Sequence, residues 1–178
     1  NFQNSIESSM QSALAKQEFQ LFLQPKVRLE NGQVEGAEAL VRWIRPDETL
    51  VYPNEFIPAF EKNGFCARLD LYMADRTCRQ LREWMDAGYE PICISVNQSR
   101  LLFYQSDYVE RLCAVMDRYH IPHGYIQLEI LEGLAIENIE QMNKTLAQLH
   151  EKGFRLSLDD FGSGYSSLNV LAGIQVDE

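Results

Sequence analysis

The chain has 178 residues, 46% apolar and 24% charged, with 16 Lys and Arg against 26 Asp and Glu for a formal net charge of −10. An aromatic content of 11% excludes a disordered chain, and the longest apolar run, Leu112–Met116, falls far short of the ~20 residues of a membrane-spanning helix. The acidic balance argues against a nucleic-acid partner held on a basic face, yet leaves room for a small phosphate ester bound through cations.

The start, Asn1-Phe2-Gln3-Asn4, lacks the basic and apolar regions of a signal peptide. Cys66, Cys78, Cys93 and Cys113 show neither C-x-x-C nor zinc spacing. Both observations lead us to expect reduced thiols and a cytoplasmic location, either free-standing or as the cytoplasmic part of a larger membrane-attached protein.

Residues Ser5 to Lys16 read as an amphipathic helix with Ile6, Met10, Ala13 and Leu14 on one face. A strand is expected over Phe19–Val27, a tight turn at Glu30-Asn31-Gly32-Gln33, and an antiparallel second strand over Val34–Trp43. The segment carrying Pro46, Pro53 and Pro58 reads as loop. Then come a helix from Cys66 to Ala87 capped by Gly88, a strand at Pro91–Asn97, a helix at Tyr108–Tyr119 and a strand at Tyr125–Leu131. A helix at Ile139–Glu151 ending at Gly153, a strand at Phe154–Asp160 and a helical turn at Ser166–Ala172 complete the pattern. Five strands alternating with helices predict βαβ units, a mostly parallel sheet and one domain over 1–178.

Four strands carry polar groups on one face: Glu38 and Arg42, with Leu40 between them; Cys93, Ser95 and Asn97; Gln127 and Glu129; Ser157 and Asp159. A parallel strand buried on both sides would be apolar throughout. Polar groups at four strand ends instead predict a (β/α) barrel with its site at the carboxyl ends. Asn97, Glu129 and Asp159 are spaced by 32 and 30 residues, one βαβ period each. A closed barrel has eight strands in about 250 residues, so the chain reads as about two thirds of one.

Carboxylates and an amide, without His or Cys, suit Mg²⁺ or Mn²⁺ rather than zinc. His120 and His123 read as a solvated turn, because Pro122 prevents a helix from aligning them. His150 falls on an exposed helical face, and Leu101-Leu102-Phe103-Tyr104 reads as packing. Gly162 and Gly164 allow a phosphate cradle or a plain turn.

The string Glu38-Ala39-Leu40-Val41-Arg42-Trp43 resembles the signature of the EAL family, the bacterial cyclic di-GMP phosphodiesterases. Leu23-Gln24-Pro25, Pro53–Pro58, Val96-Asn97-Gln98-Ser99, Leu128–Glu132 and the eleven-residue Leu158–Leu168 follow in order. The resemblance spans essentially the whole chain, and its last string is the most specific. It implies a modified TIM barrel with an antiparallel first strand, and hydrolysis of cyclic di-GMP to linear pGpG at a two-metal site. Glu38, Asn97, Glu129, Asp159 and Asp160 match the metal ligands, with Glu38, Asp159 and Asp160 carrying the catalysis. Gln24, Leu40 and Arg42 match substrate positions. Glu132 and the loop Phe161, Gly162, Ser163, Gly164, Tyr165, Ser166 and Ser167 match a regulatory segment tied to a homodimer interface. A sensory or GGDEF-type domain is expected upstream.

Two departures stand out. Leu131 occupies a position where the family usually has Thr, and the family's later-strand Lys, Glu and Gln have no counterpart in the 178 residues. A cyclic di-GMP receptor without catalysis and an inactive fragment are the alternatives.

Overall fold

The structure, a computed structural model, describes residues 2–131 and 139–159. The Asn-Gly turn works as expected: Gly32 adopts a positive φ of 69°, and the Asn31 side-chain oxygen accepts the Gln33 N–H at 3.0 Å. It joins β1 (Phe19–Val27) to β2 (Val34–Ile44) in an antiparallel ladder that runs from Phe19 opposite Trp43 to Val27 opposite Val34. β4 (Cys93–Gln98), β5 (Ile126–Leu131) and β6 (Arg155–Asp159) then add in parallel, one beside the next. The order β1-β2-β4-β5-β6 never reverses, and the two-residue β3 (Leu50–Val51) pairs antiparallel with β2. A singly wound sheet of this kind is the wall of a barrel; a doubly wound sheet reverses direction at a switch point.

Helices cover the apolar face, where Ile94, Val96, Leu128, Ile130 and Leu156 are fully buried. They are α1 (Phe2–Ala15), α2 (Pro53–Asn63), α3 (Cys66–Asp86), the single-turn α4 (Arg100–Phe103), α5 (Tyr108–Tyr119) and α6 (Ile139–Glu151). All four cysteines are free thiols. Among the described residues no helix is long and apolar enough to cross a membrane.

The segment expected as loop contains α2, and the cause is local chemistry. Pro53 occupies the first turn, where a missing N–H costs nothing. The Tyr52 N–H is bound at 2.9 Å by the Glu55 carboxylate, and Gly64 closes the helix at φ 78°. Pro58 does break the ladder inside the helix, at a cost of about 3 kcal/mol. Phe56 and Phe60 offset it by completing an aromatic cluster with Phe19, Trp43 and Phe65, whose ring centroids lie 4.8–6.4 Å apart. Such pairs contribute about 0.5–1.5 kcal/mol each beyond their burial. β3 raises the strand count to six, and α4 and a 3₁₀ turn at His123–Tyr125 were likewise not expected.

His120 is an exposed left-handed cap of α5, as a solvated turn requires. His123 differs: its ring stacks on Phe154 at 4.6 Å and 15°, and Nδ1 lies 2.6 Å from the Lys152 carbonyl oxygen. It is a packed joint between α5 and β6. Leu102 and Phe103 are fully buried, in line with a packing role.

Candidate active site at the strand ends

Paired positions in a sheet share a face, so register alone gathers the site. Gln24 faces Glu38, Glu38 pairs with Ser95, Asn97 with Glu129, and Glu129 with Ser157. These side chains line the face that the helices leave uncovered. The Asn97 amide donates from Nδ2 to Glu38 Oε1 at 3.2 Å. Glu129 is only 7% exposed and binds the Lys26 ammonium through Oε1 at 2.8 Å. The same ammonium donates to the Ser95 hydroxyl. Ser157 Oγ, buried beside Glu129, finds no partner among the described residues.

Asn97 is held by its two successors. Gln98, almost fully buried, donates from Nε2 to the Asn97 carbonyl oxygen at 2.7 Å and accepts the Tyr108 hydroxyl at 2.8 Å. Burial holds the Tyr108 hydroxyl far above its ordinary value, so it remains a donor. The Ser99 backbone N–H donates to Asp70 Oδ2 at 2.7 Å.

Asp70 projects from α3 into a cavity of about 240 Å³ that also meets Leu40, Pro53, Ile57, Val96 and Asn97. Burial pushes its carboxyl up to about 7, against the lowering effect of the Ser99 hydrogen bonds; the Glu61 charge adds to the rise.

Arg42 lies on β2 beyond its pairing with β4, opposite Gln20 on β1. Its guanidinium lies 5.9 Å from the Phe22 ring centre and 6.0 Å from that of Tyr52, and it donates from Nη1 to the Val41 carbonyl oxygen at 2.8 Å. Phe22 and Tyr52 are both about half exposed (47% and 52%), so the cation sits between two accessible rings.

Of the residues singled out from the sequence, Glu38, Asn97 and Glu129 converge, with Gln24, Leu40 and Arg42 along β1 and β2 beside them. Asp159 ends β6 opposite Leu131. Its side chain, together with Glu132, Asp160 and Phe161–Ser167, lies outside the described residues. Among the described residues no three His, Cys, Asp or Glu form a metal-binding group. Lys26, Asp70 and the ring pair around Arg42 were not foreseen. Alternation along β1, which sets Lys26 on the face of Gln24, was the available signal for the first.

A singly wound, parallel-rich sheet with acids and an amide along its open face defines an α/β domain of the TIM-barrel kind. The chain belongs to the EAL domain family, whose pattern it matches over residues 7–178. It is 35% identical over 169 residues to the bifunctional diguanylate cyclase/cyclic di-GMP phosphodiesterase MucR of Pseudomonas aeruginosa, covering 95% of this chain and 25% of MucR. It is 34% identical over 172 residues to the cyclic di-GMP phosphodiesterase NbdA of the same organism, covering 97% of this chain and 22% of NbdA. The solved PaMucR phosphodiesterase, in complex with c-di-GMP, superposes with a TM-score of 0.90 at 34% identity over 98% of this chain and 70% of that one. The chain thus spans a quarter or less of these two curated relatives.

Proposed function

We propose that this domain hydrolyses cyclic di-GMP, opening one 3′–5′ phosphodiester linkage to give linear pGpG, with Mg²⁺ or Mn²⁺ held by Glu38, Asn97, Glu129, Asp159 and Asp160. The observation that carries this reading is the convergence of Glu38, Asn97 and Glu129 on one face, with an ammonium already seated against Glu129. Hard oxygen donors beside a seated cation suit the implied metals, and the Ser157 hydroxyl, without a partner among the described residues, adds a further oxygen nearby. When bound, the cations lower the pKa of water and offset charge gathering on the phosphate.

The chain's own residues have the remaining tasks. Glu38 is tied through Oε1 to the Asn97 amide, which fixes its carboxylate beside the other proposed ligands. Arg42 offers a planar fork to phosphate oxygens beside the Phe22 and Tyr52 rings. The cavity at Asp70 is below the roughly 300–1,000 Å³ of a whole ligand pocket and suits one base of a dinucleotide. A guanine edge carries two adjacent N–H donors, and the Asp70 carboxylate, acceptor-only when ionised, complements them. The relatives' names and the c-di-GMP complex support this substrate.

The test is conversion of cyclic di-GMP to pGpG by the purified chain with Mn²⁺ or Mg²⁺, followed by chromatography. Metal-dependent turnover that Glu38→Ala abolishes is the expected result. Binding without turnover would mark a receptor and overturn the hydrolytic reading, and the absence of both binding and turnover would overturn the proposal altogether.

A further inference from the structure

The Lys26–Glu129 contact spans 103 residues of sequence and most of the sheet. On the strand order, β1 lies three steps from β5, about 14 Å on a flat sheet at about 4.8 Å per step. A lysine side chain does not reach that far. The contact therefore requires a curled sheet and a clear path across its concave face. Gly36 is the residue paired with Lys26 on β2. A Cβ built there would lie 2.9 Å from the Cys93 carbonyl oxygen, so the close approach of β2 and β4 depends on the missing side chain.

We infer that Lys26 is a positioning residue that serves as the internal counter-cation of the site: it holds Glu129 while no metal is bound and must withdraw before a divalent cation takes that carboxylate. The inference rests on reading Glu129 as a metal ligand. Its physical basis is exclusion. A buried carboxylate needs a positive partner, but an ammonium and a divalent cation on one carboxylate oxygen repel each other. Lys26 thus keeps the empty site folded and lowers its affinity for metal. Leu128 and Ile130, fully buried on the opposite face, pin the backbone at Glu129, and the long lysine side chain is the mobile partner.

The test is Mn²⁺ titration of the wild-type chain, Lys26→Met and Glu129→Gln, with free Mn²⁺ read by electron paramagnetic resonance and melting followed in parallel. Lys26→Met should bind Mn²⁺ at least tenfold more tightly. Without metal it should melt below wild type, and Mn²⁺ should restore it. An unchanged or weaker affinity overturns the inference. Tight binding by wild type that Glu129→Gln leaves intact overturns the ligand reading too, as does a failure of all three proteins to bind. Should Lys26→Met not fold, reductive methylation of wild type read by mass spectrometry decides. Mn²⁺ should raise labelling of Lys26 several-fold, and unchanged labelling at metal saturation refutes the displacement.

Discussion

Replacing Asp70 by Asn removes an acid whose pKa burial raises to about 7 from an ordinary 3.8, while the amide oxygen can still accept the Ser99 N–H. Because the folded value lies above the unfolded one, the folded protein binds more protons between about pH 4 and pH 7. The ionised carboxyl therefore destabilises the fold increasingly across that window and fully above about pH 7. At full ionisation the ceiling is about 4 kcal/mol, of which about 2 accrues between about pH 5.5 and pH 8. Asp70 lines an open cavity rather than a sealed core, and screening by entering water brings the expected gain to about 1–2 kcal/mol. In a domain of this size that corresponds to a rise in Tm of roughly 2–8 °C. Melting curves of both proteins at several pH values measure it. Asp70→Asn should pull ahead of wild type as pH rises, whereas a gap that stays constant from about pH 5.5 to pH 8 would refute the argument. The variant should also bind cyclic di-GMP more weakly at pH 8, since an amide offers one acceptor oxygen where a carboxylate offers two.

Gly36→Ala forces a methyl against the Cys93 carbonyl oxygen. It should destabilise by about 1–3 kcal/mol in urea unfolding, as overpacking does; a neutral outcome would mean that β2 and β4 are free to separate. Tyr108→Phe strips the hydroxyl from Gln98 and leaves a buried oxygen unmatched, at a cost of about 1–3 kcal/mol. It should also lower metal affinity through Asn97, and an unaltered Mn²⁺ titration would show that the anchor does not extend to the site.

Local signals carried the periodic part of the fold into the sequence. Asn31-Gly32 announced the hairpin, and the alternation of Glu129 with Leu128 and Ile130 fixed which face of β5 is polar. The one-period spacing of Asn97 and Glu129 placed them side by side, as their register has them. What escaped depends on contacts between distant residues. α2 was hidden by prolines because its stability comes from Phe19 and Trp43 on other elements. Lys26 looks like an ordinary hairpin charge until the sheet curls. Asp70 reads as the polar side of an amphipathic helix until Ser99, 29 residues on, closes over it. The stacking of His123 on Phe154 has the same origin.

Asn97, Gln98 and Ser99 are three consecutive residues that answer to three surroundings: the open face, the α5 core and the cavity at Asp70. One stiff tripeptide thus connects the place proposed for phosphate chemistry to the place proposed for a base. Such a link couples the two halves of a ligand, because a base that shifts Ser99 displaces Asn97 two residues away. On the proposed reading, selectivity for the base and efficiency at the phosphate are not separate traits. A substitution that reshapes the cavity will register in turnover, and variants selected for a new base will need a compensating change on α3 or α5.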